Sequence, residues 1–369
     1  MNSYLVPGGG PYLLTHSVGC LPRVARDALD ANFLRPWAER GGDAWPQWLS
    51  RIDEFRAALA QLFGGAPDEY CPQTNLSSGL SKLLSALAGS AANRRTLLAA
   101  EDSFPSLGFV LQKSQRLGFE SRLMRCAKLP DDIRTWSDAL THDVRVALVT
   151  HVHSNTGRVA PVAEIAKLCR ERGILCVVDV AQSAGILPLN FPGLGADVAL
   201  GSCIKWLCGG PGAGFLWIRP DLIEDLEPAD VGWFSHEDPF EMDIHSFRYA
   251  SNAMRFWGGT PSVAPFVIAT ASLRHIQALG VDEIGAHNRR LVQTFKDNLS
   301  PAWQSRLPAW PTGGTLCIAL GAEFDEVTAS LKQAGAKFDT RGDVIRVSFH
   351  ACNSEDDALR VARAWQGGR

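Results

Sequence analysis

The sequence lacks any run of like charges. Its 36 basic and 39 acidic residues are interspersed and leave a formal net charge of -3, so no basic stripe points to nucleic acid and no charged tail to a tether. A small molecule is the default partner. No apolar run reaches the roughly 18 to 20 residues of a membrane helix, and residues 1–12, rich in glycine, carry no basic stretch ahead of an apolar one. Neither a membrane span nor a signal peptide is therefore expected. Cys-x-x-Cys pairs are missing too. The nine cysteines are odd in number and scattered, and several, such as Cys176 and Cys317, sit inside apolar runs, the pattern of reduced core thiols in a cytoplasmic protein. Internal repeats, low-complexity tracts and long linkers are also absent.

What is present is apolar content. With 369 residues, 46% of them hydrophobic, the chain can bury a large core and has the length of about two domains. The most informative stretch is Ile174-Leu175-Cys176-Val177-Val178-Asp179-Val180-Ala181-Gln182-Ser183 and its continuation to Lys205. A short apolar run ending in an acid, with one lysine after a second apolar stretch, is what a pyridoxal phosphate site needs. A buried carboxylate at a strand end keeps the ring nitrogen protonated, and a lysine holds the aldehyde as a Schiff base. Asp179 and Lys205 fit those roles, although an Asp after a buried strand is common in α/β domains and needs other groups to converge on it.

The rest of the chain supplies candidates. Apolar residues at helical spacing from Arg51 to Phe63 (Ile52, Phe55, Leu59, Leu62) predict a helix closed by Gly64-Gly65. Thr74-Asn75-Leu76-Ser77-Ser78-Gly79-Leu80 places small hydroxylic residues at a helix start, either as a plain N-cap or as a phosphate cradle. The strand Thr96-Leu97-Leu98-Ala99-Ala100 leads to Phe104-Pro105, with proline set to open a helix. Val146-Ala147-Leu148-Val149-Thr150 is a buried strand, followed by His151 and His153, for which no third metal ligand lies at sensible spacing. A crossover helix from Pro161 to Arg172, with Ala163, Ile165, Ala166, Leu168 and Cys169 inward, returns to the strand ending at Asp179. That βαβ unit predicts a mostly parallel sheet. The glycines of 209–214 precede a strand, Phe215-Leu216-Trp217-Ile218, not the helix a dinucleotide loop requires. Beyond residue 261, helices over Val263–Ala278 and Val281–Leu299 and strands over Thr315–Leu320 and Val344–Ser348 form a smaller unit. Arg346 lies inside the last of these strands, where an arginine is costly unless an anion pairs with it.

Several blocks together resemble the kynureninase branch of the class V, fold-type I pyridoxal phosphate enzymes. They are Asp179-Val180-Ala181-Gln182, Lys205 with Gly210-Pro211-Gly212 after it, Val231-Gly232-Trp233-Phe234-Ser235-His236, Gly259-Thr260-Pro261 and Asp339-Thr340-Arg341 with Ile345-Arg346-Val347-Ser348. The resemblance implies a large domain over residues 45–260 with a mostly parallel seven-stranded-type sheet, and a small α+β domain from 1–44 and 261–369. It implies that Leu76 and Ser77 hold the cofactor phosphate, that Phe104 stacks on the ring, and that Thr150, Gln182 and Trp233 contact the cofactor. It further implies a cytoplasmic homodimer in which Thr260 reaches the neighbouring subunit's phosphate. His16 and Ser17 would lie near the substrate and Arg346 would grip its carboxylate. The expected reaction begins with removal of the substrate's α-proton by Lys205 and ends with hydrolytic cleavage of the Cβ–Cγ bond of kynurenine or a relative, giving alanine and an anthranilate.

Two positions depart from that pattern. Ile204 stands where kynureninases usually have tyrosine, and Gln182 where they have histidine. A class V aminotransferase, a β-elimination (C–S) lyase or an epimerase on the same fold therefore stays open, as does, more remotely, a non-catalytic binding protein. A desulfurase would need a nucleophilic cysteine before the arginine strand, and 339–346 contains none.

Overall fold

The computed structural model describes residues 3–88, 94–125 and 132–367. Its main sheet has seven strands: β1 (Tyr70–Gln73), β2 (Thr96–Ala100), β3 (Glu120–Met124), β4 (Val144–Thr150), β5 (Leu175–Asp179), β6 (Val198–Ser202) and β7 (Gly214–Ile218). They lie in the order β1-β7-β6-β5-β4-β2-β3. Neighbours from β6 through β3 are parallel, and β7 runs against both of its neighbours. The central strands are largely buried, which is why β4 from Val146 to Val149 and β5 from Leu175 to Val178 read as apolar runs rather than as alternations.

Helices cover both faces. α1 (Trp45–Phe63) starts ahead of the expected Arg51, because Pro46 fits its first turn and Trp48 extends the buried stripe; it stops at Gly64, whose φ is 82°. α2 (Leu76–Leu87) follows β1 and α3 (Pro105–Lys113) follows β2. The crossover helix α4 (Val162–Glu171) turns Val162, Ile165, Ala166 and Cys169 inward and leaves Ala163 exposed. The expected inward set was therefore wrong at one position, since Val162 on the preceding residue takes the buried place. α5 (Ala264–Leu279) packs with the main sheet's core, its Phe266 ring 4.9 Å from that of Phe55, so this core extends past residue 261.

A second, antiparallel sheet follows after α6 (Val281–Asp297). It comprises β8 (Thr315–Ala319), β9 (Asp339–Arg341) and β10 (Val344–Ser348) in the order β8-β10-β9. Leu316, Ile318, Ile345 and Val347 pack on α6, α7 (Phe324–Gln333) and α8 (Glu355–Trp365), and Leu13 joins the same cluster. The N-terminal segment is bridged to this unit through Tyr12 and Lys337 and through Leu14 and Ser348. Among the described residues no helix is long and apolar enough to cross a membrane.

Candidate active site

A cleft of about 680 Å³ opens at the carboxyl ends of the parallel strands, bounded on its far side by β9, β10 and the N-terminal segment. This is where an open α/β sheet places its ligands, because the strands end there and the loops diverge. Asp179, Thr150, Lys205, Gln182, Phe104, Leu76, Ser77, His16, Ser17 and Arg346 all line it.

Asp179 forms the floor. It is the last residue of β5, beside Thr150 in the register of β4, and is 5% exposed. Its Oδ1 accepts the Ala181 N–H at 2.9 Å. Burial pushes the Asp179 carboxyl up, against the opposing pull of Lys205, the Ala181 N–H and His153. Lys205 follows β6 in a tight loop whose Cys208 N–H closes onto the Lys205 carbonyl at 2.9 Å. Burial pushes the Lys205 ammonium down, Asp179 pulls it back up, and Arg346 and Arg341 add to the depression. A carboxyl pushed up by burial and an amine pushed down by it thus share one cleft. That pairing suits a cationic ring nitrogen at Asp179 and an aldehyde carbon at Lys205.

The walls supply shape. Phe104, the residue before α3, is 39% exposed and its ring centroid lies 5.6 Å from Lys205 Nζ, leaving a flat apolar surface open to the cleft. At the start of α2, Asn75 Oδ1 accepts the Ser78 N–H at 2.9 Å, while the N–H groups of Leu76 and Ser77 have no partner within the helix and face an anion-favouring terminus. Gln182 is pinned at both ends of its amide. Its Nε2 donates to the His16 carbonyl at 2.9 Å and its Oε1 accepts from Trp206 Nε1 at 3.3 Å. What it has left is a second N–H and a second lone pair on Oε1. Thr150 Oγ1 donates to Ser103 Oγ at 3.2 Å.

The opposite end is a charged cluster. Arg346 and Asp339 stand directly across the β9–β10 ladder. Arg346 Nε donates to Asp339 Oδ1 at 3.0 Å and Nη2 to Oδ2. His16 Nε2 lies 3.0 Å from the same Oδ1 and His16 Nδ1 2.8 Å from Ser348 Oγ. Burial pushes the His16 imidazole down against the pull of Asp339. Burial would raise Asp339, but the hydrogen bonds from His16 and Arg346 outweigh it and hold the carboxyl at about 2. A neutral His16 donating from Nε2 satisfies both directions.

The N-terminal segment is locked onto the lysine loop. The Gly19 N–H donates to the Ile204 carbonyl at 2.7 Å, and a Cβ on Gly19 would lie 2.2 Å from the Lys205 carbonyl oxygen and 2.6 Å from Cys208 Sγ. We expect Gly19→Ala to destabilise the fold by about 1–3 kcal/mol through overpacking and to weaken cofactor binding, because the segment carrying His16 must lift off the loop. Thermal unfolding and a cofactor titration check this. An alanine variant equal to the parent in both would show that the contact is slack.

Two expected site residues lie elsewhere in the single chain. Trp233 lines a separate hollow of about 300 Å³ with Phe247 and Ile244, packed against Phe234 and Phe240, and Thr260 is exposed. His151 and His153 diverge, with His151 Nδ1 3.0 Å from Ser183 Oγ and His153 Nδ1 3.0 Å from Asp102 Oδ2. Sequence reasoning gave no role to Asp339, Arg341, Ser154 or Asn75, which line or brace the cleft. The Asp-Thr-Arg spacing was the available signal for the first two.

The aminotransferase class-V family model matches residues 112–361, and the class I and II model matches 19–200. A kynureninase of Deinococcus radiodurans is 32% identical over 305 residues, 80% of this chain and 72% of that protein. A kynureninase of Burkholderia mallei is 30% identical over 74% of this chain and 66% of its own length. Among solved structures, a cysteine desulfurase of Thermococcus onnurineus superposes with a TM-score of 0.83 at 21% identity, covering 96% of this chain and 93% of that one. The cystine C–S lyase C-DES gives 0.85 at 23% identity, with 97% of each chain covered. At such identities these two report the fold. With the family model over most of the sheet and the second unit, and the relatives over most of the chain, the protein belongs to the aminotransferase class V family, as a kynureninase-like, pyridoxal phosphate-dependent enzyme of fold type I.

Proposed function

We propose that the enzyme hydrolyses the Cβ–Cγ bond of L-kynurenine or a closely related L-amino acid. The observation that carries this reading is the convergence of Asp179, Lys205 and Arg346 on one cleft, in a chain whose 30–32% identical relatives are kynureninases. Pyridoxal phosphate, when bound, draws electrons away from the substrate's α-carbon. Asp179 would hold the proton on the ring nitrogen, the two N–H groups at the start of α2 with the Ser77 hydroxyl would receive the phosphate, and Phe104 would offer its face to the ring. Gln182 offers its remaining N–H to an oxygen in the cleft, and Thr150 borders the same space. Lys205 would be the residue that holds the cofactor's aldehyde, and its amine would carry the proton exchanged at the substrate's α-carbon. His16 and Ser17 flank the substrate, and Arg346 belongs to the end that meets its carboxylate.

A homodimer belongs to the same reading. The segment around Trp233 exposes Phe240, Met242, Ile244 and Phe247, an apolar patch of the kind that marks contacts between chains. A second copy would bring Thr260 to the phosphate end, and Trp233 would join the cofactor's surroundings at the same junction.

Ile204 and Gln182 favour a second reading, a β-elimination lyase, aminotransferase or epimerase acting on another amino acid. No cysteine lines the cleft among the described residues, which disfavours persulfide chemistry. The deciding experiment supplies the holoenzyme with L-kynurenine and quantifies products. We expect alanine and anthranilate in equal amounts; a response of the bound cofactor's absorbance without anthranilate would transfer the assignment to the second reading.

A further inference from the structure

α2 opens at the phosphate end of the cleft with Leu76 and Ser77 and carries one lysine further on, Lys82. Its side chain is only 11% exposed. Nζ donates to the Phe256 carbonyl at 2.9 Å and to the Trp257 carbonyl, and lies 3.5 Å from Asp230 Oδ2. Three donors thus meet three oxygens, the condition under which a mostly buried ammonium is tolerated. The Phe256 carbonyl also accepts from Gln73 Nε2 at 3.1 Å, at the end of β1. Ser85, nearly one turn after Lys82, accepts the Ala229 N–H on its Oγ at 3.1 Å.

The two carbonyls held by Lys82 are the last before Gly258-Gly259-Thr260. Gly258 has a φ of 114°, and a Cβ there would lie 3.4 Å from Lys82 Nζ, so the loop turns directly over the ammonium. The Gly258 carbonyl in turn accepts the Phe234 N–H at 3.0 Å, and a Cβ on Gly232 would lie 2.6 Å from the Gly258 carbonyl carbon. The segment of Trp233 and the segment of Thr260 are thereby clamped together, with α2 as the anchor of both. Thr260, two residues on, is exposed. We propose that Lys82 is a positioning residue linking the two cofactor sites of the homodimer: from the helix that receives one copy's phosphate, it holds the loop by which Thr260 reaches the other copy's phosphate. This rests on the homodimer reading above and adds to it the residue that sets Thr260 in place. A substitution at position 82 is then felt across the interface, at the copy that keeps its own lysine.

The test pairs differently tagged copies into mixed dimers. One copy carries Lys205→Ala, so the absorbance of cofactor joined to Lys205 reports the other copy alone, and pyridoxal phosphate is titrated into the cofactor-free dimer. We expect Lys82→Met on the Lys205→Ala copy to weaken cofactor binding at the reporting copy roughly tenfold, and the same substitution on the reporting copy to change it far less. Thr260→Ala on the Lys205→Ala copy should give the same loss, with no further loss when Lys82→Met is added beside it. Lys82→Arg, which can donate to both carbonyls, should restore most of the binding. Asp230 is largely exposed, so Asp230→Asn loosens the same junction without endangering the fold and should give a smaller loss at the same reporting copy. A loss confined to the copy that carries the substitution, or no loss in any mixture, would overturn the proposal and leave Lys82 a strut within one chain. Thr260→Ala without effect across the interface, or a chain that binds cofactor as a monomer, would overturn the homodimer reading and this inference with it.

Discussion

Lys205→Ala is expected to lower turnover by roughly 10⁴-fold or more, since the proposed function has this one side chain serve both as the covalent anchor and as the base at the α-carbon. The fold should survive. The lysine loop is held by backbone contacts, Gly19 N–H to the Ile204 carbonyl and Cys208 N–H to the Lys205 carbonyl, and by Trp206 and Leu207, which are fully buried. What changes is local charge. Without the ammonium, Asp179 loses one of the pulls that oppose its burial, so its carboxyl moves further up. Steady-state turnover, with circular dichroism as the control for folding, checks the prediction. Turnover at the parent rate in a folded variant would remove Lys205 from the reaction.

Asp179→Asn is expected to cost roughly 10²–10³-fold in turnover, the usual penalty for removing one fixed electrostatic partner from a water-poor site. The amide matches the carboxylate in shape and its Oδ1 can keep the Ala181 N–H, so the loop beyond β5 should stay in place. It cannot balance a protonated ring nitrogen. Cofactor should therefore still bind while the chemical step slows, and that split is the signature to look for. A loss of cofactor affinity with unchanged turnover in the loaded fraction would mean that Asp179 only positions the ligand.

The legible part of this chain follows one rule. Buried strands and amphipathic helices leave period and length in the sequence, and β2, β4, β5, α4 and the strand of Arg346 were found that way. An acid at the end of such a strand and a lysine after the next could be placed in the same cleft because parallel strands point their ends together. β9 stayed hidden because Asp339-Thr340-Arg341 has no apolar alternation, and with it went the cross-strand pairing that makes Asp339 the partner of Arg346. Gln182 could be read as a departure from histidine, but not as an amide locked between His16 and Trp206, because those contacts join segments far apart in the chain. Trp233 and Thr260 matched family positions by spacing, yet spacing within one chain carries no information about which copy a residue serves.

The most direct test of the central claim is chemical. The holoenzyme is reduced with borohydride, digested, and the cofactor-bearing peptide sequenced by mass spectrometry. The pyridoxyl group should be found on Lys205, in the peptide that contains Ile204 and Trp206, and nowhere else. The group on a different lysine, or no labelled peptide from enzyme loaded with pyridoxal phosphate, would contradict the placement of the reactive centre at the carboxyl ends of β5 and β6.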